Sequence, residues 1–100
     1  MRRAAKIDAN QTEAVKALRN AGMSVCLLSA VGKGVPDLLV GWRGVNVLVE
    51  LKDGAKKPSE QALTKDQQEF HATWNGQVIV ANSPTAAVEA VIRHWEAIHD

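Results

Sequence analysis

Pro36-Asp37-Leu38-Leu39-Val40-Gly41-Trp42-Arg43-Gly44-Val45-Asn46-Val47-Leu48-Val49-Glu50-Leu51-Lys52 carries the strongest structural signal in this 100-residue chain. Two apolar runs flank the triplet Trp42-Arg43-Gly44, so the segment reads as a hairpin with strands at Asp37 to Gly41 and Val45 to Lys52. Strand side chains alternate between faces, which puts Val47, Val49 and Leu51 on one side and Leu48, Glu50 and Lys52 on the other. A plain core strand has no need of two opposite charges on one face at its end. If the turn is centred between Arg43 and Gly44, as a two- or four-residue loop would place it, Asp37 lies opposite Glu50. Directly opposed residues have Cβ atoms about 5 Å apart, and like charges so placed are destabilising. A divalent cation is the natural compensator, and hard oxygen ligands suit Mg²⁺ or Mn²⁺. A three-residue loop would shift the register by one and send the carboxylates to opposite faces. The plainer alternative is that Asp37 opens a strand while Glu50 and Lys52 form a solvated ion pair at a strand end.

N-terminal to the hairpin, a helix is expected from about Asn10 to Ala21, with Asn10 as cap, Glu13 three residues later as in a capping box, and Gly22 as its stop. Ala14, Val15, Leu18 and Ala21 would form its buried stripe. Ser24 to Ser29 reads as a short buried strand, Ala30 to Val35 as a flexible connection, and Asp53 to Ser59 as an exposed basic loop. Thr64 caps a helix running to about Trp74, which Asn75-Gly76 ends; Gln77 to Ala81 is a fourth strand. Ser83-Pro84 is a cap followed by proline at the first helical position, opening a last helix to about His99. The order α-β-β-β-α-β-α predicts one α/β domain over residues 1–100, a mixed sheet flanked by helices.

Composition sets bounds without choosing a function. With 46% hydrophobic and 23% charged residues the chain is an ordinary globular one, and its net charge of +1 neither proposes nor excludes a nucleic-acid partner. Any such contact must come from local clusters or a bound cation. The single cysteine, Cys26, reads as a small core residue in an apolar run, which suits a reducing cytoplasm. No run approaches the roughly 20 apolar residues of a membrane span, and Met1 to Lys6 is basic without the apolar segment of a secretory signal. His71, His94, His99 and Cys26 lack zinc-ligand spacing. Trp74 and Trp95 read as core or interface residues.

Gly34-Val35-Pro36-Asp37-Leu38-Leu39-Val40, then Val49-Glu50-Leu51-Lys52, then Leu63-Thr64-Lys65-Asp66-Gln67-Gln68-Glu69-Phe70-His71 resembles the VRR-NUC family of virus-type replication–repair nucleases, within the PD-(D/E)xK superfamily. The similarity runs from the first helix to the fourth strand. It implies a restriction-endonuclease-like fold and a Mg²⁺- or Mn²⁺-dependent DNA endonuclease. By motif, Asp37 and Glu50 would ligate the metal and Lys52 would complete the catalytic site; in the mechanism this suggests, the Leu51 main-chain carbonyl is a third metal ligand. The family's glutamine falls on Gln67, with Gln68 adjacent, and its first-helix acid falls on Glu13. Both have plain readings as well, Glu13 in a capping box and Gln67 as the reciprocal cap of Thr64. Lys65 stands where family patterns often have proline, a departure at a helix start that touches no catalytic role.

The resemblance further implies a homodimer acting on branched DNA such as four-way (Holliday) junctions; the expected setting is cytoplasmic, in a bacterium or a phage-infected host. The last helix carries Ala87, Val88, Val91, Ile92, Trp95 and Ile98, a stripe broad enough to supply such an interface or simply to cover the sheet. Two other classes compete: a catalytically silent DNA-binding module of the same fold, and a small interaction domain with an accidental motif. The intact Asp, Glu and Lys argue against the first, and the length of the family match argues against the second.

Overall fold

Arg43 and Gly44 both take positive φ, 50° and 83°, as a two-residue hairpin turn of the I′ kind requires. Arg43 is not a glycine, and its left-handed backbone is held by neighbours. Its guanidinium lies 4.3 Å from the Trp42 ring centre and 4.9 Å from that of Trp95, and its carbonyl accepts a 3.3 Å hydrogen bond from Trp95 Nε1. This turn sets the register that the sequence reading needed. In the computed structural model, which describes residues 9–99, β2 (Leu38–Trp42) pairs antiparallel with β3 (Val45–Leu51), Leu38 opposite Val49 and Trp42 opposite Val45.

The hairpin is the centre of a four-stranded sheet in the order β1-β2-β3-β4. β1 (Ser24–Leu27) runs antiparallel to β2, and β4 (Val78–Ala81) runs parallel to β3. The parallel pairing requires a crossover, supplied by a short helix α2 (Pro58–Gln61) and by α3 (Lys65–Thr73). Helices α1 (Ala9–Asn20) and α4 (Pro84–Ile98) cover one face of the sheet. There Val15 and Leu18 of α1 and Ala87 and Val91 of α4 bury Leu38, Val40, Val47 and Val49. α3 lies on the other side, where its side chains meet Glu50 and Lys52. This is the mixed sheet flanked by helices that the pattern predicted.

Four details differ from the sequence reading. Asn10 lies inside α1 instead of capping it, and its side-chain amide donates to the Lys52 carbonyl at 3.2 Å. The buried stripe of α1 is Gln11, Ala14, Val15 and Leu18, with Ala21 exposed beyond the helix end. β1 is a shorter edge strand and is largely exposed, so Cys26 is a surface thiol on the face away from the helices and not a core residue. The Asp53 to Ser59 loop is braced, since Gln61 Nε2 donates to the Lys56 carbonyl at 2.7 Å and α2 follows from Pro58. The basic residues from Met1 to Lys6 lie outside the described residues. Among those described, no helix is long and apolar enough to cross a membrane.

The stripe of α4 is mostly consumed by the fold. Ala87 and Val91 are buried, Val88 and Ile92 pack against the core, and Trp95 meets Trp42 edge-on at 5.8 Å. Ile98, at 54% exposure, is the part left open. A broad stripe on this helix is therefore a sheet cover first.

Candidate active site

Pro36 has no N–H to offer the sheet, and the β2 ladder begins one residue after Asp37. The Asp37 side chain takes over where the ladder stops. Its Oδ2 accepts the Leu51 N–H at 2.8 Å, and its main-chain carbonyl accepts the Leu28 N–H at 2.8 Å. Continuing the Leu38–Val49 register by one step puts Asp37 across from Glu50. Main-chain groups of successive residues point to opposite sides of a strand. Lys52 N–H bonds Ala81 on the β4 side, so the groups of Leu51, carbonyl included, face Asp37.

Glu50 is a buried carboxyl, 2% exposed. Burial, then the hydrogen-bonding proximity and charge of Asp37, push its pKa up to about 8, against a smaller downward pull from Lys52. Its Oε2 accepts from Gln67 Nε2 at 3.3 Å, while its buried Oε1 has no hydrogen-bond partner. Two carboxylates meeting here, one with an unsatisfied buried oxygen, are a donor set that a hard divalent cation fits.

Gln67 caps its helix and also touches the candidate site. Its Oε1 accepts the Thr64 N–H at 2.9 Å as the reciprocal half of the capping box, and the same oxygen accepts Lys52 Nζ at 2.8 Å. The helix cap thus fixes the amide that holds Lys52 and touches Glu50. Gln68 turns away and donates to the Leu63 carbonyl.

Glu13 does not join this group. The stripe of Gln11, Ala14, Val15 and Leu18 turns inward, which at 100° per residue leaves Glu13 on the exposed side of α1. Among the described residues no group of three or more His, Cys, Asp or Glu is placed to hold a metal ion. The acidic donors gathered here are Asp37 and Glu50.

Two contributors escaped the sequence reading. His71 Nε2 is buried without a partner, 4.0 Å from Glu50 Oε1, and burial, then the charge of Lys52, lower its pKa from the ordinary histidine value. The signal was the four-residue spacing from Gln67, which puts both on one helix face. The other is Gly34. It has φ 80°, and a Cβ there would sit 2.2 Å from the Asp66 carbonyl oxygen and 2.9 Å from the Gln67 nitrogen, all main chain. The connection between β1 and β2 therefore packs backbone to backbone on the first turn of α3. Gly34→Ala must displace Gln67, whereas Gly32→Ala, also at positive φ but with open space around its Cβ, bears the backbone cost alone. We expect Gly34→Ala to lower stability by about 2–3 kcal/mol and Gly32→Ala by about 1 kcal/mol, read by thermal melting. Equal losses would show that the contact with α3 carries no weight.

Trp74 is not core: it is 48% exposed and stacks on Phe70 at 5.1 Å. A groove lined by Gln11, Val15, Arg19 and Leu27 among others contains none of the candidate site residues.

No family profile matches this sequence, and neither does any curated protein. A search of solved structures finds a chain described as a VRR_NUC domain, 33% identical, with a TM-score of 0.60 over 85% of this chain and 91% of that one. Identity at that level over nearly the whole of both chains, on the same mixed sheet, exceeds a likeness of fold alone. The chain belongs to the VRR_NUC domain family.

Proposed function

We propose that this nuclease-family domain is a Mg²⁺- or Mn²⁺-dependent endodeoxyribonuclease that hydrolyses phosphodiester bonds, selective for branched DNA such as four-way junctions. One observation carries the reading: Asp37 meets the buried Glu50 at the sheet end where Gln67 holds Lys52 at 2.8 Å. Asp37, Glu50 and the Leu51 carbonyl would hold the ion. Such an ion supplies Lewis acidity, making a water acidic enough to ionise near neutral pH and screening the phosphate charge. Lys52 Nζ then stabilises charge developing on the phosphate or orients the attacking water, and Gln67 keeps that ammonium aimed. The exposed Lys33, Lys56 and Lys57, on the segments bordering the site, suit contacts to the phosphate backbone that position DNA without reading its sequence.

One domain with one site cuts one strand per encounter. Paired cuts in a four-way junction call for a two-fold dimer, and we propose that the domain works as a homodimer. Family membership supports this reading, whereas the α4 stripe, being spent on the sheet, lends it little. Sedimentation at micromolar concentration, with and without junction DNA, should give the mass of two chains, and junctions should be nicked faster than linear duplex. Monomer under both conditions contradicts the dimer. Equal rates on the two DNAs contradict the junction preference.

A further inference from the structure

We propose that His71 is a positioning residue for Glu50, donating its Nε2–H to Oε1 while Gln67 Nε2 donates to Oε2, so that α3 grips both oxygens of one carboxylate. The inference rests on Asp37 and Glu50 being the metal-holding pair. Gln67 and His71 are four residues apart on α3 and share a face. Gln67 already touches Oε2. His71 Nε2 and Glu50 Oε1 are buried, both lack a partner, and they face each other across 4.0 Å. A buried donor and a buried acceptor that both stay unsatisfied are costly, and each is the remedy for the other. The gap is about 1 Å beyond a hydrogen bond, which side-chain rotation can close, and too narrow for a bridging water. In the tautomer with its proton on Nε2, the imidazole can donate to Oε1 and leave a second lone pair of that oxygen for a cation. Partners of this kind orient metal-holding carboxylates, and their loss typically weakens metal binding about 10- to 100-fold.

The test compares wild type, His71→Phe, His71→Gln and Asp37→Asn by Mn²⁺ titration calorimetry, with kcat and KM on a DNA substrate. His71→Phe keeps the volume and loses the donor. It should weaken Mn²⁺ binding by about 10-fold or more and lower kcat, with KM for DNA little changed. His71→Gln, whose amide can reach the same oxygen, should recover most of that loss. Unchanged Mn²⁺ affinity in His71→Phe would overturn the proposal, as would failure of His71→Gln to rescue. A loss of DNA affinity at constant Mn²⁺ affinity would also overturn it, by making His71 a phosphate contact. Asp37→Asn separates the two levels of inference. If it binds Mn²⁺ as wild type does, the metal pair is wrong and the role of His71 falls with it. If it loses Mn²⁺ while His71→Phe keeps it, the role of His71 alone is wrong.

Discussion

Asp37→Asn and Glu50→Gln should each lower metal-dependent DNA cleavage by a factor on the order of a thousand or more, while the metal-free protein should become no less stable. Loss of activity follows from removing one of two acidic donors. The stability result follows from what those donors cost in the absence of a cation. Glu50 is buried against Asp37, and its pKa stands at about 8 against an ordinary 4.5. A group whose pKa is raised by folding contributes stability that is fully present below pH 4.5 and is lost as the pH climbs through 8. The metal-free wild type should therefore weaken between those limits, whereas glutamine, neutral throughout, does not. Glu50→Gln should melt close to wild type at pH 5 and on the order of 10 °C higher at pH 9. The Asn oxygen of Asp37→Asn can still accept the Leu51 N–H, so the ladder end stays closed. Melting curves at both pH values and cleavage rates check the two halves separately. Substantial Mg²⁺-dependent cleavage by both variants would remove the proposed metal site.

Lys52→Ala should keep Mn²⁺ and DNA binding and lose turnover, by about 10²- to 10³-fold, because its proposed work is done in the transition state. Its ammonium is held by Gln67 at 2.8 Å and its main-chain carbonyl accepts from Asn10, so the backbone survives truncation. The Gln67 oxygen keeps its bond to the Thr64 N–H, and the cap of α3 should persist. Single-turnover rates together with DNA affinity measured in Ca²⁺ separate the possibilities. A fall in affinity as large as the fall in rate would make Lys52 a backbone contact.

The geometry of the candidate site was legible where it depended on local rules. A two-residue turn at Arg43-Gly44 fixed the register, alternation put Glu50 and Lys52 on one face, and a capping box put Gln67 at the third position of α3. What escaped depended on tertiary placement. Cys26 sits in an apolar run that would suit a core, yet β1 is an edge strand and its side chain faces away from α1 and α4. Glu13 matched a family position but stands on the solvent side of α1, and it is Asn10 of that helix that reaches the Lys52 carbonyl. His71 has helical spacing from Gln67, but its meaning appears only once α3 lies across the end of β3. Gly34 looked like loop flexibility, and its role, letting the chain touch the backbone of α3, is invisible until the two segments meet.

Whether the Asp37–Glu50 pair makes this domain a metal-dependent nuclease is decided by incubating the purified protein with labelled four-way junction DNA in EDTA, Mg²⁺ or Mn²⁺ and following strand cleavage, with Asp37→Asn alongside. Cleavage that requires Mg²⁺ or Mn²⁺, stops in EDTA and is missing from Asp37→Asn is the predicted result. DNA bound but left intact in every metal, or cut equally by wild type and Asp37→Asn, is the result that contradicts it.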